Sequence, residues 1–309
     1  MKQLIITGDD FGYSRTVNNA ILRACREGLL TSASLMPCGF DFEHAAEQAR
    51  QTPELSVGVH LCLLQGRAVL PHAVIPALTD ANGDFHNNPL AAGVRFFLIP
   101  GVRRQIEREL RAQMAKFLAT GLRPTHLNTH MHLHAHPVVF PIIARLAREQ
   151  GIRFLRVPRE SLFPHLLIDR RFLVSKLARG FFFWALCIGL NRKVRRAGFR
   201  PPDAIHGLLQ SGHLDETYLT RLFRQVGDGV TEVYFHPGDD DDPILRRWQS
   251  GYNHAAETAA LLSPRVKQLA GELGIHLVGF ENVIQTSGET DGTEVLAPGR
   301  GAAGWAAPD

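Results

Sequence analysis

The sequence predicts an irregular (β/α) barrel. Eight short apolar runs with strand character alternate for the most part with helical runs, and this alternation favours a parallel sheet covered by helices. Eight units fit a barrel, while a doubly wound open sheet is the competing architecture. Polar side chains follow several of the runs, at the ends that meet at one rim in parallel α/β folds.

The first third of the chain supplies three strands and two helices. Residues 2–7 form a β-rich apolar run that turns out through Gly8-Asp9-Asp10-Phe11-Gly12. Ser14 suits the N-cap of a helix that continues to residue 27, because its side chain can accept a backbone N–H, and Gly28 ends that helix. The remaining elements of this part are strands at 31–37 and 56–63 and a helix at 42–51.

The rest of the chain continues the alternation after one long interruption. Residues 65–100 are rich in proline, glycine and asparagine, and we expect a long loop over one face of the barrel. The expected elements beyond it are a helix at 102–120, a histidine-rich strand, a helix at 138–150 opened by Pro137, strands at 152–157, 203–209, 232–235 and 276–280, and helices at 216–226 and 252–273. Residues 1–284 are expected to form one domain, and 285–309 a disordered tail.

The histidine-rich strand is the most unusual stretch, with five of the fifteen histidines in eleven residues. If the strand extended over all of it, alternate side chains would share one face. These would be His126, Asn128, His130, His132, His134 and His136. Burying a row of imidazoles without partners is costly, and a divalent metal ion is an efficient partner. We expect one or two of these histidines to be metal ligands and the others to contact the substrate or support the ligands.

Composition and charge are those of an ordinary globular protein. The net charge of +4 is only mildly basic, and we expect no nucleic-acid partner. Neither GxGxxG nor GxxxxGK[ST] occurs, so nucleotide binding has no support. The four cysteines are widely spaced without a CxxC pair, and the first residues do not resemble a signal peptide. We therefore expect a cytoplasmic protein with reduced thiols.

Several polar residues are expected to converge at the carboxyl ends of the strands. Asp9 and Asp10 close the first strand, His60 lies near the end of the third, and His236 closes the seventh. With His130 they would face one rim. One aspartate and two histidines leave coordination positions open, as hydrolytic metal sites do. Such an ion would polarise a carbonyl, while a carboxylate takes the proton of water and a histidine protonates the leaving group.

Asp9 and Asp10 are expected to have different roles. Adjacent side chains on a strand point to opposite faces, but a turn can bring both into one pocket, where two carboxylates repel. One of them then gains from a cation, while the other remains a base. The alternative is a turn whose sequence serves backbone geometry alone.

Five segments, in order between residue 2 and about residue 284, resemble those of the YdjC/ChbG carbohydrate deacetylases. No single segment is specific, but their combination is. The segments are Gly8-Asp9-Asp10-Phe11-Gly12, Gly58-Val59-His60-Leu61, the histidine-rich 124–134, Arg156-Val157-Pro158-Arg159-Glu160 and His236-Pro237-Gly238. The segments 32–36, 66–71 and 232–237 make the hopanoid biosynthesis-associated branch, HpnK, the most similar.

The resemblance implies an irregular TIM-like barrel and one divalent metal ion, Mg²⁺ or Zn²⁺. By their positions in the motifs, Asp10, His60 and His130 match the metal ligands. Asp9 matches the catalytic base, and His236 matches a candidate for the general acid.

Other residues in the same segments extend this set. His132, His134 and Arg159 are expected to contact the substrate. The chain departs from the family pattern at Asn128, where an aspartate is usual, and at Met131, where a histidine is usual. The first change removes any role that needs a charge at that position, but it does not touch the three ligands.

The HpnK branch implies hydrolytic removal of acetyl from an N-acetylglucosaminyl hopanoid, a lipid-linked amino sugar. Two alternatives stay open: a soluble N-deacetylase of chito-oligosaccharides, and a non-catalytic metal-dependent sugar-binding protein. Asp9 beside Asp10 argues against the second, because binding alone does not require a spare base. The oligomeric state also stays open.

Residues 164–200 form a basic, hydrophobic insertion. Its apolar run, 181–190, is shorter than the roughly 20 residues that span a bilayer. Nine arginines and lysines surround the run against one acid, Asp169. Aromatic residues beside clustered cations suit a segment that lies on an anionic leaflet. We therefore expect peripheral contact with the inner face of the cytoplasmic membrane; the alternative is a barrel helix with an apolar core side and solvated charges.

Overall fold

The structure is a computed structural model that describes residues 1–283. Within these residues, eight parallel strands form one sheet. The strands are β1 (Lys2–Phe11), β2 (Ser32–Leu35), β3 (Ser56–Leu61), β4 (His126–Thr129), β5 (Phe154–Leu155), β6 (Ala204–His206), β7 (Gly229–Phe235) and β8 (Ile275–Leu277). The expected tail at 285–309 and the domain end at residue 284 lie outside the described residues.

The sheet curls into the predicted irregular barrel. The strands follow the order β5-β4-β3-β2-β1-β7-β6, and β8 pairs with the first residues of β1. The two edges of the sheet meet at the residues just before β5 and β6. There the backbone N–H of Arg200 donates to the carbonyl of Arg153 at 2.7 Å. A bridge between Phe154 and Arg200 lies at the same place. The TIM-like architecture is therefore confirmed, with a short seam in place of a full closing ladder.

Twelve α-helices surround the sheet in the part of the chain that is described. They are α1 (Arg15–Glu27), α2 (Phe42–Arg50), α3 (Pro89–Leu98), α4 (Val102–Leu118), α5 (Phe140–Glu149), α6 (Leu162–Ile168), α7 (Leu173–Leu186), α8 (Leu190–Arg196), α9 (Glu216–Phe223), α10 (Pro243–Trp248), α11 (His254–Leu261) and α12 (Pro264–Glu272). Ser14 caps α1 as expected, since its side chain accepts the N–H of Val17.

Two expected elements have different limits in the structure. The region expected to be a loop contains α3, because Asn88 caps it and Pro89 occupies its first turn, where a missing N–H costs nothing. The single helix expected at 252–273 is two helices. Ser263 caps α12 and Pro264 begins it, so the chain cannot continue straight through from α11.

The histidine-rich stretch is also shorter as a strand than expected. Strand β4 ends at Thr129, and a 3-10 segment, His130–Ala135, follows it. Met131 and His132 have φ of 54° and 55°, so the alternation of faces stops there. The Thr129 side chain accepts the N–H of His134 at 2.9 Å and so stabilises the turn.

The close approach of β3 and β4 makes Gly58 a structural requirement. A Cβ placed on Gly58 would lie 2.4 Å from the ring of His126. We expect Gly58→Ala to lower the free energy of unfolding by about 1–3 kcal/mol, as overpacking does. Urea unfolding measures it. Gly271→Ala is the control, because α12 leaves open space there and alanine favours a helix. Equal midpoints for Gly58→Ala and wild type would contradict the expectation.

Candidate metal centre

The first strand places two carboxylates at the carboxyl-end rim of the barrel. Every residue of β1 after Lys2 is buried, so Asp9 and Asp10 lie in the protein interior. Asp10 has a φ of 62°, a left-handed conformation that is uncommon for residues other than glycine. Such strain is retained where the surrounding structure enforces it, as it does at functional sites.

The three residues matched to metal ligands come together. Asp10 Oδ1 lies 2.9 Å from His130 Nδ1 and 3.2 Å from His60 Nε2. All three side chains are buried. Because β1, β3 and the turn after β4 each supply one of them, the parallel sheet itself brings the donors to one point.

The hydrogen bonds around His60 prepare it for a metal ion. Its Nδ1 lies 2.6 Å from the side-chain oxygen of Asn128, which can only accept, so Nδ1 carries the proton. Nε2 faces Asp10 Oδ1 at 3.2 Å. Without a metal ion it carries a second proton, because Asp10 and Asp9 raise the pKa of His60 against the effect of burial; with a metal ion it presents a lone pair. A lone pair that faces a carboxylate is unfavourable unless a cation lies between them. The three residues therefore fit a divalent metal ion, and Asn128 orients one ligand.

Asp9 belongs to a second, adjoining network. Arg156 donates to its two carboxylate oxygens at 2.5 and 3.1 Å, and Ser34 and the amide nitrogen of Asn128 donate at 2.9 and 3.1 Å. Burial would raise the pKa of Asp9, but the charges of Arg156 and His60 hold it well below its usual range. Asp9 is therefore ionised at neutral pH.

Asp10 keeps its charge through different partners. Burial would raise its pKa, but His130 and His60 lower it well below the usual range. Gln249 donates to its other oxygen at 2.7 Å. Arg156 is thus the main cationic partner of Asp9 and His130 that of Asp10, while His60 acts on both. That the two aspartates have different roles stays a prediction.

A cavity of about 320 Å³ opens over this cluster. It is bordered by Asp9, His60, His130, His132 and His236, and by Phe183, Tyr234, Trp248 and Tyr252. The hydroxyl of Tyr234 lies 2.8 Å from His132 Nε2. The cavity therefore combines polar groups at its base with an aromatic wall, as small-molecule sites do.

His236 faces this cavity in its neutral form. Burial lowers its pKa to about 4, and its Nδ1 has no hydrogen-bond partner. Glu257 accepts its backbone N–H at 2.6 Å and so fixes the start of the loop after β7.

Two of the residues expected to contact the substrate are not brought to this cavity. His134 is buried beside it, with its Nδ1 2.8 Å from the hydroxyl of Thr129. Arg159 borders a different cavity, with Arg192, Arg195 and Arg196. Of the three expected substrate contacts, only His132 lines the cavity over Asp10, His60 and His130, which is called the metal pocket.

Sequence reasoning missed the partners of Asp9. Arg156 and Glu232 were both part of matching segments, and Glu232 also of the strand at 232–235, but neither had an assigned role. In the structure Glu232 accepts from Arg156 at 2.6 Å and from Thr7 at 3.0 Å, entirely buried. The available signal was a lone acid inside the apolar run of β7, because such a residue needs a buried cation.

The buried histidines near the site should make stability depend on pH. Burial and Arg156 lower the pKa of His126 to about 3, so it stays neutral when folded but binds a proton when unfolded below about pH 6.5. Stability is therefore lost as pH falls from about 6.5 towards 3, by up to about 1.4 kcal/mol per pH unit for this group. We expect the melting temperature of His126→Gln to fall less than that of wild type between pH 6.5 and 4. An unchanged slope would contradict this.

Comparisons with known proteins match nearly the whole chain. The family described as YdjC-like protein matches residues 3–272. A carbohydrate deacetylase of Brevibacillus brevis is 33% identical over 91% of this chain and 99% of its own. A chitooligosaccharide deacetylase of Yersinia pestis is 32% identical over 90% of this chain and 98% of its own. A crystal structure described as a cellobiose-phosphate cleavage protein of Enterococcus faecalis V583 has a TM-score of 0.72 at 27% identity, covering 92% of this chain and 99% of that one.

Proposed function

Because the chain belongs to the YdjC-like protein family, we propose that it removes acetyl from a lipid-linked N-acetylhexosamine, an N-acetylglucosaminyl hopanoid. The chain is an enzyme, a hydrolytic carbohydrate deacetylase. The observation that carries the lipid part of the proposal is the position of α7. One side of this helix borders the metal pocket, and the other exposes apolar side chains.

Asp10, His60 and His130 would hold one divalent ion at the base of the pocket. Two imidazole nitrogens and a carboxylate oxygen suit Zn²⁺ by ligand type, with Mg²⁺ as the alternative. When bound, the ion polarises the acetamide carbonyl and lowers the pKa of the attacking water.

Asp9 and His236 would move the protons. Asp9 borders the pocket and is ionised at neutral pH, so it can accept the proton of the water. Its strong contact with Arg156 makes it a weak base that passes the proton on readily. His236 enters the reaction neutral because of its low pKa, and would protonate the departing amine after it has taken over the proton that Asp9 removed from the water.

Helix α7 connects the pocket to an apolar surface. Phe183 borders the pocket, and its ring lies 5.6 Å from that of His132. On the outer side, Val174, Phe181 and Trp184 are 80%, 70% and 50% exposed. A sugar at the metal centre would thus have its lipid beside an apolar helix. Exposed aromatic and aliphatic residues of this kind, flanked by arginines, suit the surface of an anionic leaflet.

The lengths of the helices favour peripheral contact with the membrane over a membrane-spanning segment. No single helix within residues 1–283 is long and apolar enough to cross a bilayer, although α7 and α8, bent by 43° at their junction, would suffice together by length and composition. We propose a cytoplasmic enzyme that docks through α7 on the inner face of the membrane, with the arginines of α8 close to the lipid headgroups.

Removing the outer aromatics of α7 tests the docking. The double variant Phe181→Ser/Trp184→Ser should partition to vesicles of phosphatidylglycerol and phosphatidylcholine at least about tenfold more weakly, because each side chain contributes about 1.5–3 kcal/mol of apolar burial. Flotation measures the bound fraction. Val74→Ser is the control, since Val74 is also exposed but lies far from α7 in the chain. Equal partitioning of double variant and wild type would reject the docking.

Substrate choice tests the function itself. Acetate release is measured from an N-acetylglucosaminyl hopanoid in these vesicles and from N,N′-diacetylchitobiose in solution, each with and without chelator. A higher kcat/KM for the lipid substrate, lost with chelator, is the expected result. A preference for the free oligosaccharide would favour the alternative, a chito-oligosaccharide deacetylase like the Yersinia pestis relative. Release that survives complete metal removal would contradict the metal centre.

A further inference from the structure

A second group of metal-binding side chains lies outside the pocket. Glu160 follows β5, His165 is on α6 and His206 ends β6. Glu160 Oε1 lies 2.7 Å from His165 Nε2 and 3.3 Å from His206 Nδ1, and the two ring nitrogens are 3.1 Å apart. The side chains of Glu160 and His165 are fully buried, and that of His206 is 15% exposed.

The carboxylate of Glu160 is fully buried and therefore needs a cation beside it. Among the ion pairs of the described residues, Glu160 pairs with these two histidines and with no lysine or arginine. Its two oxygens also accept the backbone N–H groups of Gly207 and Leu209, at 3.1 and 2.6 Å. Those bonds favour the ionised form of the fully buried carboxylate. A buried anion of this kind is stable only beside a proton-bearing imidazole or a metal ion.

The spacing and surroundings fit a metal ion. Ligands held at about 2.0–2.2 Å around Zn²⁺ in a tetrahedron lie roughly 3.3–3.5 Å apart, close to two of the three distances. The Nδ1–H of His165 can donate a hydrogen bond to the hydroxyl of Tyr218, which leaves Nε2 unprotonated and free as a ligand. The arrangement repeats that of Asp10, His60 and His130: one carboxylate, two imidazoles, and a hydrogen bond that orients a ring.

We infer that Glu160, His165 and His206 form a second divalent-cation site, which takes a borderline metal such as Zn²⁺. The site shares no residue with the metal centre in the pocket. It would join the apolar insertion, which supplies His165, to the barrel rim, which supplies Glu160 and His206.

The position of the second site gives it a structural task. The backbone segment that Glu160 holds includes Leu208, which borders the metal pocket and accepts a hydrogen bond from Arg179 of α7 at 2.9 Å. A metal ion there would fasten α6 to the rim and so fix the pocket wall next to α7. This role does not depend on which substrate the enzyme uses.

Metal counting tests the inference. Purified protein is stripped with chelator, loaded with Zn²⁺ alone, desalted and analysed by mass spectrometry of the metal. Wild type should hold two ions per chain, His206→Ala one, His60→Ala one, and the variant with both changes none. Circular dichroism checks that each variant is folded. The melting temperature of His60→Ala should still rise on adding Zn²⁺, because its second site is intact.

The outcomes separate this site from the proposed catalytic one. One ion in wild type, one in His206→Ala and none in folded His60→Ala would overturn the second site while leaving the pocket metal in place. One ion in wild type and in His60→Ala, but none in His206→Ala, would support the second site and contradict the pocket metal. If His206→Ala does not fold, the ion count of His60→Ala decides alone: one ion supports the inference and none rejects it.

Discussion

Replacing Asp10 with asparagine is expected to abolish acetate release together with metal binding in the pocket. Asp10 Oδ1 is the atom that both His60 and His130 approach, at 3.2 and 2.9 Å, so it joins the two imidazoles into one ligand set. Asparagine keeps the shape but removes the negative charge that a divalent ion needs. Loss of several kcal/mol of transition-state stabilisation corresponds to a fall of about 10³-fold or more in kcat/KM.

The measurement pairs acetate release with metal content. Asp10→Asn should hold one Zn²⁺ fewer than wild type under the same loading. Asp241→Asn serves as the control, because the Asp241 side chain is 84% exposed and its removal should change neither quantity. An Asp10→Asn variant that keeps wild-type activity with one ion fewer would show that the pocket metal takes no part in the reaction.

Replacing Arg156 with methionine is expected to cause the largest loss of stability. Arg156 contacts both Asp9 and Glu232, and all three side chains are at most 2% exposed. Methionine fills much of the volume but leaves two buried carboxylates without their cation. Breaking a buried pair in this way costs about 3–5 kcal/mol, and two carboxylates are affected here. Chemical unfolding measures the loss.

The pH dependence of stability shows whether Arg156→Met acts through lost charge or lost packing. In wild type the pKa of Asp9 is depressed, so the stability that it contributes is present above its unfolded pKa near 3.9 and is lost as pH falls through its folded value. In Arg156→Met, Asp9 loses the charge that lowers its pKa, and acid protonates it at a higher pH than in wild type. The stability gap between the two proteins should therefore narrow as pH is lowered. A constant gap would indicate lost packing rather than lost charge.

Arg111→Met is the matched control for Arg156→Met. Arg111 also contacts two carboxylates, those of Glu107 and Glu149, but its side chain is 43% exposed. Solvent screens such pairs, so the loss should stay within about 1 kcal/mol. A comparable loss in both variants would remove the distinction between buried and exposed networks.

The fold and the three-ligand cluster were predictable because they depend on patterns that are local in sequence. Alternating strands and helices specify a parallel sheet, and a parallel sheet gathers Asp10, His60 and the histidine after β4 at one rim. The length of β4 was not predictable from alternation. The left-handed backbone at Met131 and His132 turns the chain, and no residue there has the sequence character of a turn.

The residues around the cluster depend on contacts distant in sequence. Arg156 contacts Asp9, which lies 147 residues earlier in the chain. Glu160 contacts His206, although the insertion at 164–200 lies between them in the sequence. Arg159 has the same charge as Arg156, yet three positions later it borders a different cavity. Residue type and spacing could not distinguish the two arginines, because only the short β5 and the turn after it decide which one faces inward.

Asn128 gives the site a property that an aspartate there would not. Its amide nitrogen donates to Asp9 and its oxygen accepts from His60, so an uncharged group connects these two side chains. An amide is electrically neutral and has one donating and one accepting end, which fixes both neighbours in a single orientation. An anion at this position would repel Asp9 and strengthen its affinity for protons. The side chain at position 128 can therefore change the pKa of Asp9 without changing the architecture of the rim.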